Sequence, residues 1–531
     1  MSSEKNLKKE AEPSSAAEEA VESKQPGGLY WLFGAEAWER FSYYGMRAIL
    51  VLYLVQQLQY ERKDALALYG VYTGLVYLTP LIGGYLSDRF LGSRKAVIIG
   101  GCTMALGELL LSVPNFLYPA LSLLILGNGF FKPNISNIVG GLYKENDPRR
   151  DGGFTIFYMG INLGAFFSPL ICGTLGQKFG FASGFIAAGI GMILGQIVFN
   201  LGQSRFNGAG MPPGFKGGPE DAHLHTKDYV EVVFWFLGIL AITGISWAAW
   251  IPAHEALANS SGLIASLMAS PLPLAVLLSV LITVGLASWA NAKDAKAGNS
   301  KESEAEENQK LTIEEIHRLA VIVILAFFVT FFWLGFEQAG GSMTLFAEEK
   351  TQRAYIWFGS IDFTIPASYF QSINPFIICT FAPLFSMMWF KWDNSKYAIS
   401  TPTKMGLGMI ILGLGFILMA MCDNIADKNH VLVNPMWLVG VYFLHTMGEL
   451  CLSPVGLSMV TKLSPKRFVS IMMGFWFLSS AGANWFAGNL EYFLKVHDIN
   501  MWRFLVLSSI GTGVVVLALT PLLKKWMHGK A

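Results

Sequence analysis

From Leu319 to Phe336 the chain reads LAVIVILAFFVTFFWLGF, and from Phe504 to Leu523 it reads FLVLSSIGTGVVVLALTPLL, with no Asp, Glu, Lys or Arg in either. Stretches of this kind recur along the sequence and constrain the fold more than any other feature. Each can cross a hydrocarbon core of roughly 30 Å as a helix. Inside lipid the helix is required, because no water is present to bond open backbone groups. Composition agrees: 53% of the 531 residues are hydrophobic and 14% are charged, against about 25% charged in an ordinary soluble domain. The expected fold class is an all-α integral membrane protein.

Apolar runs bounded by charge, Gly and Pro predict twelve strong spans, near residues 29–57, 66–87, 95–113, 117–141, 152–176 and 182–201, then 315–346, 366–390, 403–422, 434–461, 467–492 and 500–523. Two further apolar segments, near 229–251 and 267–290, lie between a Gly/Pro-rich loop (NGAGMPPGFKGGPEDAHLH) and a charged linker (NAKDAKAGNSKESEAEENQK). The expected organisation is a polar, disordered tail over 1–28, a six-helix bundle over 29–201, a linker with two extra helices over 202–314, a second six-helix bundle over 315–523, and a short tail over 524–531. That makes fourteen transmembrane helices. Most loop Lys and Arg fall on the side shared by both termini, which predicts cytoplasmic termini. Two groups of six suggest a transporter whose halves rock about a midplane site. Span number alone leaves a single bundle or a channel open.

Several classes are disfavoured. The formal net charge of +1 gives no reason to expect a nucleic-acid partner. The five cysteines, Cys102, Cys172, Cys379, Cys422 and Cys451, lie in apolar segments without a CxxC pair, so neither a disulfide framework nor a metal site is expected. The first 28 residues lack an apolar core, so no cleaved signal peptide is expected. With no HExxH or GxSxG motif, an enzyme is not expected.

Against this background, residues 36–50 (EAWERFSYYGMRAIL) carry two glutamates and two arginines inside the first span. At about 100° per residue, Glu36, Arg40, Tyr43 and Arg47 fall close together, with Glu39 and Tyr44 at the edges of the same arc. Burying a charge at mid-membrane costs about 2.5–3.5 kcal/mol even on lenient scales, so such groups face a partner or a cavity. Two arginines offer fork-shaped donors suited to a carboxylate, two glutamates can exchange protons, and the tyrosines add uncharged donors. Elsewhere the intramembrane ionisable groups are Glu108, Lys132, Glu337, His445 and Glu449. Lys132 lies mid-span beside Pro133, Glu337 follows Trp333 by one helical turn, and Glu449 follows His445 by the same interval. A carboxyl group in such a setting can load and release a proton near neutral pH. Glu108 has no polar company and is expected to be structural, bonded to a neighbouring helix. Trp333, Trp476, Tyr72 and Tyr77 can line a side-chain pocket or serve as packing.

Four stretches together resemble the proton-dependent oligopeptide transporter (POT) family of the major facilitator superfamily. Glu36-Ala-Trp-Glu39-Arg40-Phe41 matches its ExxERF pattern and continues as Tyr43-Tyr44-Gly45. GGYLSDRFLGSRKA from Gly83 to Ala96 fits the loop signature after the second span, and FTIFYMGINLGAF from Phe154 to Phe166 fits the fifth-span signature around Asn162. The fourth is the set Lys132-Pro133-Asn134, Trp333-x-x-x-Glu337-Gln338 and Gly448-Glu449. The resemblance implies the superfamily fold, two six-helix bundles here with two extra helices between them, and proton-coupled import of di- and tripeptides by alternating access. It implies a proton-coupling set of Glu36, Glu39, Arg40, Lys132 and Glu337, in which Lys132, or Arg47 in another state, pairs with Glu337. Arg40, Arg47 and Lys132 would hold the peptide carboxylate, and Glu449, Asn162 and Asn374 its amino terminus. Tyr43, Tyr44, Tyr77, Trp333, Trp476 and Ser480 would shape the pockets.

The loop near Asp423 to Asn434 is short, where animal members carry a large outer domain, which implies a bacterial-type member of the inner membrane. No cofactor is expected beyond the proton gradient; the expected partners are peptides, protons and the bilayer, with the monomer as working unit. The alternative cargo on the same fold is nitrate or another small organic solute, and a channel is the rival from another class.

Overall fold

A computed structural model describes residues 24–144, 147–218, 223–258, 311–357, 361–396, 398–465 and 468–530. Helices build nearly all of it. The first group comprises α1 (Gly28–Leu52, continued by a π turn at Tyr53–Gln57), α2 (Arg62–Leu78), α3 (Pro80–Leu86), α4 (Ser93–Leu111), α5 (Leu117–Gly141), α6 (Arg150–Phe179) and α7 (Phe181–Gly202). After α8 (Thr226–Ala258), the second group comprises α9 (Ile313–Phe336), α10 (Ser342–Lys350), α11 (Ile373–Asp393), α12 (Thr401–Asn429), α13 (Met436–Leu463), α14 (Val469–Val496) and α15 (Met501–Trp526). A hairpin of β1 (Ala354–Trp357) and β2 (Ile361–Thr364), antiparallel with Ala354 opposite Thr364, joins α10 to the helical turn Ala367–Ser372 before α11.

Local chemistry sets the helix boundaries. Thr312 starts α9 with a capping box, its hydroxyl accepting from the Glu315 N–H at 3.2 Å while the Glu315 carboxylate accepts from the Thr312 N–H at 2.9 Å. Asn500 caps α15 by accepting from the Arg503 N–H at 3.0 Å. Only Gly180 separates α6 from α7, and its φ of +99° is a conformation that side-chain-bearing residues rarely adopt.

Two predicted spans are interrupted. The expected run over 66–87 breaks at Pro80, which lacks an N–H and starts α3. The run over 315–346 ends as an α-helix at Phe336, tightens to a 3₁₀ turn at Glu337–Gly340, and leaves helical geometry at Gly341 (φ −111°, ψ −106°) before α10. Conversely α12 runs on to Asn429, beyond the expected 422. The first inserted helix appears as α8, packed on α4 and α5. It is tied to α4 by Lys95, whose ammonium lies 3.0 Å from Asp228 and 2.5 Å from Glu231. The second, near 267–290, lies outside the described residues.

In the first group α1 packs against α6 and α7, and α4 against α5; in the second, α12 packs against α13 and α15. The groups meet where α2 lies along α14. There the backbones of Gly70 and Gly488 touch: a Cβ on Gly70 would sit 2.7 Å from the Asn484 carbonyl oxygen and 2.8 Å from the Gly488 Cα. Within the second group Gly448 is likewise a packing point, since a Cβ on it would sit 2.6 Å from the Gly408 carbonyl oxygen.

Gly70→Ala is therefore expected to cost about 1–3 kcal/mol through overpacking, read as a lower unfolding midpoint of the detergent-solubilised protein. Gly482→Ala on α14, where nothing lies within 4 Å of the added carbon, is the control and leaves the midpoint unchanged or higher. Equal midpoints for the two variants would mean that α2 and α14 do not approach this closely.

Candidate functional site

A cavity of about 380 Å³ lies between the two groups of helices. One wall carries Glu36, Arg40, Tyr44 and Arg47 from α1, Tyr77 from α2, Lys132 from α5 and Asn162 from α6. The facing wall carries Trp333 from α9, Glu337 from the 3₁₀ turn, Asn374 from α11, His445 and Glu449 from α13, and Trp476 with Ser480 from α14. Of the residues singled out from sequence, Glu39, Tyr43, Tyr72 and Glu108 are buried but do not line the cavity. On α1, Glu39 and Tyr43 lie towards the opposite edge of the polar arc from Tyr44.

The charges fall into three arrangements. Arg40 Nε bridges the two glutamates of its own helix, 2.8 Å from Glu36 Oε1 and 2.7 Å from Glu39 Oε2. Two carboxylates thus share one guanidinium, and among the described residues Glu36 Oε2, Arg40 Nη2 and both Glu39 oxygens have no hydrogen-bond partner. Buried groups with unmade bonds are uncommon in structures, and here two of the three residues, Glu36 and Arg40, line the cavity. Second, Arg47 crosses between the bundles: its guanidinium donates to the Glu337 carboxylate and, through Nε, to the Tyr69 hydroxyl at 2.5 Å. Third, Glu449 Oε2 accepts from Asn374 Nδ2 at 2.8 Å, and Thr446 Oγ1 accepts from the same amide at 3.0 Å.

Lys132 does not pair with Glu337 here, because Arg47 occupies that carboxylate. The Lys132 ammonium lies over the Tyr77 ring, 4.7 Å from its centroid, within electrostatic reach of Glu36, Glu39 and Glu337. Among the described residues neither Lys132 nor Glu449 has an oppositely charged partner at ion-pair distance. One free cation and one free anion therefore face each other from opposite bundles. Glu108 is fully buried away from the cavity, where Ser42 donates to it at 3.5 Å. His445 packs on Phe416 with ring centroids 4.5 Å apart.

At the end of the molecule bearing the α1–α2 loop, further bonds join the bundles. Arg62 reaches Glu491 at 2.5 Å and Glu349 at 2.8 Å. Gln177 donates to Glu348 at 3.0 Å, the Thr174 and Tyr369 hydroxyls share a bond of 2.7 Å, and Ser372 Oγ donates to the Phe166 carbonyl at 2.8 Å. These contacts close the cavity at that end. Sequence reading missed this set and Tyr69, because exposed charges and neutral hydroxyls carry no signal of intramembrane cost.

Two bundles enclosing a charged cavity that is closed at one end define a membrane transporter. A model of the POT family matches residues 94–215 and 275–506. The chain is similar to a di-/tripeptide transporter of Lactococcus lactis subsp. lactis (strain IL1403), 33% identical over 513 residues that cover 94% of this chain and 96% of the relative. It is also similar to an uncharacterized transporter of Bacillus subtilis (strain 168), YclF, 36% identical over 513 residues and 95% of each chain. Among solved structures, a peptide transporter POT in complex with sulfate superimposes with a TM-score of 0.74 at 33% identity, over 95% of this chain and 96% of that one. A POT family transporter in complex with 5-aminolevulinic acid superimposes with 0.73 at 30% identity, over 94% and 97%. The chain belongs to the POT family, with the all-α major facilitator fold of that family.

Glu337→Gln leaves Arg47 buried without its counter-charge and is expected to cost about 3 kcal/mol of stability. The double substitution Arg47→Gln/Glu337→Gln should cost clearly less than the sum of the two single ones, the signature of a direct pair. Additive costs in thermal unfolding would show that the pair does not hold the bundles together.

Proposed function

We propose that this protein is a proton-coupled symporter that imports di- and tripeptides by alternating access, as a monomer without a cofactor and without enzymatic activity. It works in a bacterial inner membrane with both termini cytoplasmic. The observation that carries this reading is the pair of free opposite charges, Lys132 and Glu449, on facing walls of one cavity. A peptide is a zwitterion and needs a cation at one end and an anion at the other. The relatives named as di-/tripeptide transporters support the cargo, and 5-aminolevulinic acid, bound by one structural neighbour, likewise carries an amino and a carboxyl group.

In this reading Lys132, Arg40 and Arg47 take the peptide carboxylate. Glu449, oriented by the Asn374 amide, takes the amino terminus together with Asn162. Tyr43, Tyr44, Tyr77, Trp333, Trp476 and Ser480 shape the side-chain pockets, with Tyr43 acting from behind the wall. Protons load on Glu36, Glu39 and Glu337. Neutralising Glu337 removes the Coulombic attraction that Arg47 supplies across the bundles, and after Glu337 releases that proton to the other side Lys132 pairs with the restored carboxylate. A membrane potential adds about 2.3 kcal/mol per elementary charge per 100 mV, so protons crossing with the peptide drive accumulation.

The test is uptake of labelled dialanine into liposomes containing the purified protein, with and without an inward proton gradient. Wild type should accumulate the peptide against its gradient, and Glu36→Gln should retain only downhill exchange. Glu449→Gln should raise KM for dialanine about tenfold or more, the scale of one lost charge-assisted hydrogen bond. A folded wild type that ignores dialanine would sink the peptide assignment and direct the search to nitrate and other small solutes; flux that needs no stoichiometric protons would indicate a channel.

A further inference from the structure

We propose that a cavity at the opposite end of the second bundle from the Arg62 contacts binds the phosphate headgroup of an anionic phospholipid. The cavity, about 480 Å³, is framed by the end of α11, the start of α12 and the ends of α13 and α15. Lys404, Lys462 and Lys524 reach it from three different helices. Asp393 neutralises only the first, with its two oxygens 2.7 and 2.8 Å from the Lys404 ammonium. Among the described residues Lys462 and Lys524 have no carboxylate partner, so two positive charges converge on the space uncompensated. The lining also includes Ser400 and Thr401, where α12, a helix of 29 residues, begins with no side chain capping its first N–H groups. Such a helix start favours a phosphate. Trp389, a further lining residue, has an indole N–H without a partner among the described residues.

The position favours a lipid over a soluble phosphate. Trp389 lies against Trp392 with the rings tilted by 44° and their centroids 5.6 Å apart, an indole pair of the kind enriched at membrane interfaces. On the same helix Leu384, Met387 and Phe390 are exposed, the last by 71%. An apolar face thus runs from the basic cavity along α11, where acyl chains can lie while the headgroup meets the lysines. Basic pockets between helix ends are the general form of such sites.

The test uses the full-length protein in detergent, titrated with dioleoylphosphatidylglycerol or dioleoylphosphatidylcholine, with bound lipids counted by native mass spectrometry. Phosphatidylglycerol should bind at least tenfold more tightly than phosphatidylcholine. Lys462→Gln/Lys524→Gln should weaken it about 25-fold, roughly fivefold per lysine, while phosphatidylcholine binding stays as it was. Lys462→Arg/Lys524→Arg, which keeps the charge, should bind as wild type does, separating lost charge from lost fold. Wild type without a preference between the lipids, or a glutamine variant that retains it, would overturn the proposal. Displacement of phosphatidylglycerol by glycerol 3-phosphate or inorganic phosphate at comparable concentrations would instead assign the cavity to a soluble anion and equally overturn the lipid.

Discussion

The ion pair between Arg47 and Glu337 is the interaction on which the rest of the site depends. It spans two bundles that otherwise meet along α2 and α14 and through the polar contacts at the α1–α2 end, and it does so where hydrocarbon makes an unpartnered charge expensive. Because Arg47 satisfies Glu337, Lys132 is left over on one wall; on the other, Glu449 accepts only the neutral Asn374 amide and has no cation beside it. The cavity is thus neither charge-neutral at each point nor charged as a whole. It is polarised across the gap, which suits a ligand carrying both signs.

Much of this was legible in the residues. Hydrophobic runs located most of the described helices, and the cost of intramembrane charge singled out groups that the structure brings to one cavity: Glu36, Arg40, Arg47, Lys132, Glu337 and Glu449. The helical arc on α1 was also visible, but an arc has two edges and periodicity does not say which one faces the gap. Tyr44 lines the cavity and Tyr43 does not, because packing of α6 and α7 against α1 sets its rotation. The break after Glu337 was hidden for a different reason. Gly340 and Gly341 sit in an apolar run that reads as one continuous span, and only tertiary contacts decide whether a glycine pair passes through a helix or ends it. Arg62 with Glu349 and Glu491 was illegible because charges at a helix end are ordinary until a partner far along the chain is known.

The break also explains how one element serves two tasks. α9 packs within its own bundle, whereas α10 carries the acidic residues that meet Arg62 and Gln177 of the other bundle. With a non-helical joint between them, α10 can follow the far bundle without dragging the whole of α9, and Glu337 sits at the joint itself. A charge change at that carboxylate therefore acts where the chain already bends.

The contacts that close the α1–α2 end differ in kind from the pair at mid-membrane. Arg62 is about one-third exposed and Glu349 about half, and pairs so open to water are worth only about 0–1 kcal/mol each. A few such contacts make a latch that biases one conformation while costing little to open. Replacing these surface pairs with a tightly packed apolar seal would stabilise the closed form and raise the cost of opening it.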